Sequence, residues 1–216
     1  MHEHNRLPLA REGFRFIGVG IALCVLAMLL GWRWLGAAAG LLTLFLLNFF
    51  RDPERRPPAD LGAILAPADG RVLRAELVHD ERFLHGPAQM VSIFMSPLNV
   101  HVNRNPATAR VVDVRYHPGR YLRAFADKAS LDNEQNAVVL EDERGHRIAF
   151  VQIAGFLARR IVCYLKPGMR TERGARCGMI MFGSRVDVFM PADAALRVSV
   201  GSRTRAGETV IAEWTT

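Results

Sequence analysis

The residues best equipped for chemistry are Gly183 and Ser184, in the run Cys177-Gly178-Met179-Ile180-Met181-Phe182-Gly183-Ser184-Arg185-Val186-Asp187. A Gly-Ser bond in apolar, strand-like sequence can cut itself. The Ser hydroxyl attacks the preceding carbonyl, the amide shifts to an ester, and elimination leaves dehydroalanine. Hydrolysis then yields a pyruvoyl group on a new chain end, an electron sink made from the backbone. Gly183 permits the strained backbone that this attack needs, and a base must take the proton of Ser184. Taken alone, the pair also reads as an ordinary turn or bulge.

Other segments offer partners. In Ser96-Pro97-Leu98-Asn99-Val100-His101-Val102-Asn103-Arg104, His101 and Asn103 alternate with valines and project to one face. A neutral imidazole there can take a hydroxyl proton and return it, although an exposed loop histidine fits the same spacing. Pro67-Ala68-Asp69-Gly70 reads first as a turn, and otherwise as a carboxylate at a strand entrance. His117 lies in a Pro-Gly turn with Arg120, and Asp127 to Asn136 is a polar loop or a lid. Arg159 and Arg160 suit phosphate or carboxylate binding, or simply a surface pair. No metal-ligand spacing is visible.

Apolar sequence of two kinds must position these groups. Phe14 to Phe50 is almost wholly apolar and divides at Gly31-Trp32-Arg33-Trp34, so each half makes about 25 Å of helix. Arg6, Arg11 and Arg15 precede it, and Arg51, Arg55 and Arg56 follow. Positive charge at both ends predicts a helical hairpin that dips into or crosses a membrane with both ends cytoplasmic. The run is too long for a cleaved signal peptide. Pro53, Pro57 and Pro58 then mark a linker.

From Leu61 onward the period is two, predicting strands over 71–78, 90–95, 109–116, 137–140, 147–153, 185–190, 196–200 and 209–214, with one helix over 154–165. The fold class is mainly β: a barrel or sandwich with one or two short helices, residues 57–216, behind a hydrophobic hairpin and linker, residues 1–56. The net charge of +7 points to an anionic partner, membrane surface or phosphate. The chain has neither a zinc spacing, an Arg-aromatic motif nor a long basic helix, so nucleic acid is not expected. Three well-spread cysteines, Cys24, Cys163 and Cys177, fit a reducing compartment.

Six ordered blocks together resemble the phosphatidylserine decarboxylase family in its short, membrane-anchored form. They are Pro67 to Gly70, Ser96 to Arg104, Tyr116 to Tyr121, Asp127 to Asn136, Gln152 to Cys163 and Met179 to Phe189. The resemblance implies a pyruvoyl cofactor made from Ser184 by cleavage after Gly183, and large and small chains that stay together as a heterodimer; a higher oligomer is left open. It maps the family's Asp onto Asp69 and the first residue of a His-x-x-His pair onto His101. Arg104 stands at the second position, so either His101 does both jobs or His117 supplies the other imidazole. The implied reaction turns phosphatidylserine into phosphatidylethanolamine through a Schiff base, at the inner membrane with the catalytic domain facing the cytoplasm. Arg159, Arg160 or Arg120 would hold phosphate or carboxylate, and no metal is implied. Two alternatives are the same chemistry on an archaetidylserine-like lipid, and a non-enzymatic membrane-anchored β module.

Overall fold

The computed structural model describes residues 8–60, 62–119, 133–155, 160–181 and 184–214. The apolar run forms two helices, α1 (Phe14–Leu29) and α2 (Arg33–Phe49), after a short 3₁₀ turn over Arg11–Gly13. Gly31 turns the chain between them at φ +77°, a conformation that costs other residues a steric clash. Small residues let the helices approach: a Cβ on Gly20 would lie 2.5 Å from Thr43 Oγ1, and one on Gly36 would lie 2.7 Å from Met28 Sδ. The ends meet, with Ala10 N–H donating to Phe50 O at 2.8 Å and Asp52 N–H to Pro8 O at 2.8 Å. Leucines and tryptophans such as Leu23, Leu29, Trp34 and Leu41 face outward. The helical stretch Arg11–Leu29 is long and apolar enough to cross a membrane, whereas Arg33–Phe49 is shorter.

The chain divides into two units between Glu54 and Arg55. In the second, the described chain forms β1 (Ala63–Leu65), β2 (Gly70–Asp80), β3 (Gly86–Met95), β4 (Val102–Arg104), β5 (Ala109–His117), β6 (Gln135–Glu141) and β7 (Arg147–Ala154). It continues with β8 (Ile161–Cys163), β9 (Arg170–Thr171), β10 (Arg176–Ile180), β11 (Ser184–Pro191), β12 (Ala195–Leu196), β13 (Arg203–Thr204) and β14 (Val210–Glu213). Eight strands make one sheet in the order β13-β2-β3-β11-β7-β6-β5-β9. Two three-stranded sheets, β1-β14-β12 and β4-β10-β8, complete a mainly β architecture.

β7 and β11 lie inside the large sheet and are buried on both faces. On one face Val91, Ile93, Val186, Val188, Phe150 and Leu140 enter the main core. On the other, Met90, Phe189, Val151, Ile153 and Val139 pack with Phe83.

Two expectations fail. The helix expected over 154–165 is strand where it is described: β7 runs to Ala154, and Ile161, Val162 and Cys163 pair with Ile180, Met179 and Gly178 of β10. The spacing of Leu157, Ile161 and Leu165 suits a helix, but β-branched Ile161 and Val162 find ladder partners that the spacing does not reveal. The strand expected over 196–200 stops at Leu196 because the chain turns, with Ser202 N–H donating to Ser199 O at 3.0 Å.

Candidate active site

Ser184 opens β11, paired with Met95 of β3 on one side and Ala154 of β7 on the other. It is fully buried, and its Oγ donates to Met95 Sδ at 3.2 Å. Sulfur accepts weakly, so the hydroxyl is oriented without being tied to a strong acceptor. Arg185 points to the opposite face, where its Nη2 meets Asp187 Oδ2 at 2.8 Å, both side chains 2% exposed. An ion pair therefore anchors the strand from one face while Ser184 occupies the other. Gly183 lies outside the described residues.

His101 is also fully buried, immediately before β4. Its Nδ1 is 2.9 Å from Asn99 O. A carbonyl can only accept, so Nδ1 carries the proton and the neutral ring keeps its lone pair on Nε2, the tautomer a general base needs. The Asn99 carbonyl is itself fixed by a turn. Asn99 N–H donates to Ser96 O at 2.9 Å, and Asn99 Oδ1 accepts from Ser96 N–H at 2.8 Å and Ser96 Oγ at 2.9 Å.

Asn103, two residues on, also reaches Met95 Sδ, at 3.7 Å from its Nδ2. Ser184 and the strand that follows His101 thus meet on one sulfur. Asn103 Oδ1 accepts from Gln152 Nε2 at 2.9 Å, and Gln152 Oε1 accepts from Asn136 Nδ2 at 3.2 Å. Met95 has no place in the sequence reading of the site, and Gln152 and Asn136 enter it only as the ends of blocks, without roles. The signal available was phase: Gln152 shares its face of β7 with Ile148 and Phe150, and Asn136 shares its face of β6 with Val138 and Leu140. A polar residue at a core phase needs a buried partner.

The remaining candidates sit as follows. Asp69 is buried with both oxygens engaged: Oδ2 meets Arg55 Nη2 at 2.9 Å and Oδ1 accepts Ala206 N–H at 2.7 Å. Arg104 points to the opposite face of β4 from Asn103, and its Nη1 donates to Gly174 O at 2.9 Å. His117 ends β5 in an exposed position opposite Gln135. Arg160 is exposed, and its carbonyl accepts Met181 N–H at 3.1 Å. Arg120, Arg159 and the polar loop through Asp132 fall outside the described residues, and Asn133 is buried with its Nδ2 donating to Ala154 O at 2.7 Å. Burial pushes the Cys163 thiol up, and burial followed by the neighbouring Cys163 pushes Cys177 well up, so both are neutral thiols and poor nucleophiles.

Residues 42–212 match the family model described as phosphatidylserine decarboxylase. The chain is 46% identical over 208 residues to the phosphatidylserine decarboxylase proenzyme of Geotalea uraniireducens, covering 96% of this chain and 97% of that one. It is 44% identical over 205 residues to the proenzyme of that name from Burkholderia mallei, covering 95% and 94%. It is 44% identical over 208 residues to the one from Desulfotalea psychrophila, covering 96% and 97%. With nearly the whole chain aligned in each case, and a buried Ser184 beside a buried His101-bearing strand at its centre, this protein is an enzyme that belongs to the phosphatidylserine decarboxylase family.

Proposed function

We propose that this protein is a self-processing decarboxylase that converts phosphatidylserine to phosphatidylethanolamine at the inner membrane, with its β-rich unit on the cytoplasmic side. The observation that carries the reading is Ser184: a nucleophile with no exposed surface, at the start of a central strand, held only by a thioether among the described residues. A buried hydroxyl tied to no strong acceptor supports a nucleophile that acts on the neighbouring backbone. The relatives are named proenzymes, which supports a chain that is cut.

In this reading His101 Nε2 takes the Ser184 proton as Oγ attacks the Gly183 carbonyl carbon and the C–N bond breaks. The ester formed loses the Gly183 carboxylate by elimination. Water then adds at the former Ser184 Cα and the Ser184 nitrogen leaves as ammonia, giving a large chain that ends at Gly183 and a small chain that begins with the pyruvoyl group. The residues present fit that group: it is no bulkier than the serine it replaces, in a position with no exposed surface. It would be held by the β11 backbone between Met95 and Ala154. The group supplies a ketone that condenses with the substrate amine and withdraws electrons from the carbon losing carbon dioxide. His101 is then the acid that returns a proton to that carbon. Asp69 contributes indirectly. Its bonds to Arg55 and Ala206 fix the segment whose Pro67 carbonyl accepts Arg104 N–H at 2.9 Å and Asn103 Nδ2 at 3.4 Å. Exposed Arg160 offers a cation to an anionic head group. Arg11 and Arg15 before the hairpin, with Arg51, Arg55 and Arg56 after it, support the cytoplasmic placement of both ends.

Intact mass of the purified protein tests the reading. Wild type should give two chains, the smaller carrying a ketone in place of an amino terminus, and Ser184→Ala a single chain without activity. An active wild-type chain that is unbroken at 183–184 overturns it.

A further inference from the structure

We propose that Gln152 and Asn103 are positioning residues that clamp the His101-bearing strand onto the sheet that carries Ser184. The two groups required for cleavage belong to different sheets: Ser184 is in the eight-stranded sheet, and His101 leads into β4 of a three-stranded one. Their alignment depends on whatever joins the sheets. The join is directional. Asn136 Nδ2 donates to Gln152, Gln152 Nε2 donates to Asn103 Oδ1, and Asn103 Nδ2 donates to Pro67 O and to the Met95 sulfur that also accepts from Ser184. Gln152 and Asn103 have no exposed surface, and Asn136 almost none.

The backbone above makes room for this chain. Gly178 of β10 pairs with both Asn103 and Cys163, and a Cβ there would stand 3.1 Å from Gln152 Nε2. Two apolar sheets slide past each other with little penalty, because hydrophobic burial has no direction. A hydrogen-bonded amide pair holds one alignment, since a slip leaves buried polar groups without partners. His101 lies two residues before Asn103, immediately ahead of β4, so the clamp that fixes Asn103 also restrains the backbone that carries the imidazole. The inference rests on the self-cleavage reading and adds which residues set its geometry.

The test follows cleavage of newly synthesised full-length chain in detergent, by the appearance of the small chain across a pH series. Gln152→Leu removes the donor at similar volume and should slow cleavage roughly tenfold to a hundredfold, the scale set by about 1 Å of misplacement. Gln152→Glu is the decisive variant. A protonated Glu can donate to Asn103 Oδ1, whereas its carboxylate has nothing to donate. Wild-type cleavage should rise with pH as the base loses its proton. In Gln152→Glu the rate should fall again on the alkaline side, and near-wild-type rates should return only at low pH. Circular dichroism identifies the folded material at each pH, and Gln152→Glu decides the matter if Gln152→Leu does not fold. Folded variants that cleave at the wild-type rate with the wild-type pH profile overturn the clamp. A wild type that does not cleave at all overturns the self-cleavage reading instead.

Discussion

Asp187 gives the most quantitative test of how Ser184 is held. Its Oδ2 pairs with Arg185 Nη2 at 2.8 Å with both side chains 2% exposed, the two residues lying three and one positions from Ser184. Asp187 Oδ1 has no hydrogen-bond partner among the described residues, nor has Ser92 Oγ on the residue paired with it in β3. The site is thus desolvated but incompletely satisfied. Asp187→Ala breaks this buried ion pair, and breaking such a pair from one side costs about 3–5 kcal/mol. For a unit of this size each kcal/mol moves the melting temperature by about 2–4 °C, so Asp187→Ala should lower it by roughly 6–20 °C. Replacing both residues, Arg185→Met with Asp187→Leu, removes the desolvation cost along with the attraction and should recover most of that loss. The measurement is thermal unfolding by near-UV circular dichroism of the full-length protein in detergent, in a Ser184→Ala background so that one uncut chain is compared throughout. An Asp187→Ala shift under about 2 °C, or a double variant less stable than the single, would show that the pair does not anchor this strand.

Two further predictions concern the strands and linker around the site. Gly70→Ala would place a Cβ 2.1 Å from Phe94 O, a backbone atom of the neighbouring strand, so β2 and β3 must part; a loss of about 1–3 kcal/mol or more should appear as a lower urea midpoint with unchanged slope. Burial pushes the Glu208 carboxyl up, but hydrogen bonds from the Arg55 side chain and the Arg56 N–H, with the charges of Arg55 and Arg205, hold it below the usual carboxylate range. A carboxyl lowered on folding stabilises above its unfolded value and loses that contribution as pH falls through the folded one. Wild type should therefore lose more melting temperature than Glu208→Gln between about pH 5 and pH 3, and equal losses would remove Glu208 from the acid response.

Much of this was legible from period and punctuation. The two hairpin helices break at Gly31 because the segment Gly31-Trp32-Arg33-Trp34 interrupts an otherwise unbroken apolar run, and the long strands β2, β3, β5, β6, β7 and β11 announce themselves by alternation. Local chemistry singled out Ser184 and His101 as candidates beside plain structural alternatives, and the six-block resemblance gave them roles. What was illegible is non-local. The three-residue strands β4 and β8 exist because β10 passes between them, and nothing within their own few residues says so. The role of Arg104 was equally hidden. It stands where the family pattern has a second histidine, but its neighbour Asn103 points to the opposite face of β4, and Arg104 reaches Gly174 instead.

The polar residues buried in the large sheet are not scattered. Gln152 lies opposite Val186 on one neighbour of β11 and Asn136 lies opposite Gln152, while Ser92 lies opposite Asp187 on the other neighbour. All fall at the end of β11 that begins with Ser184. Further along, Val188 and Phe189 meet Val91, Met90, Phe150 and Ala149, with no polar side chain among these buried residues. Each face contributes differently at the polar end: an amide chain on the face of Ser184, and an ion pair behind it. Such groups are costly to bury and contribute little net stability, so a sheet built for stability alone would place apolar residues there. Their concentration around one serine, on both faces and from neighbouring strands, fits the role proposed for Ser184, which needs its backbone held in one alignment. The apolar end then supplies the stability that the polar end gives up.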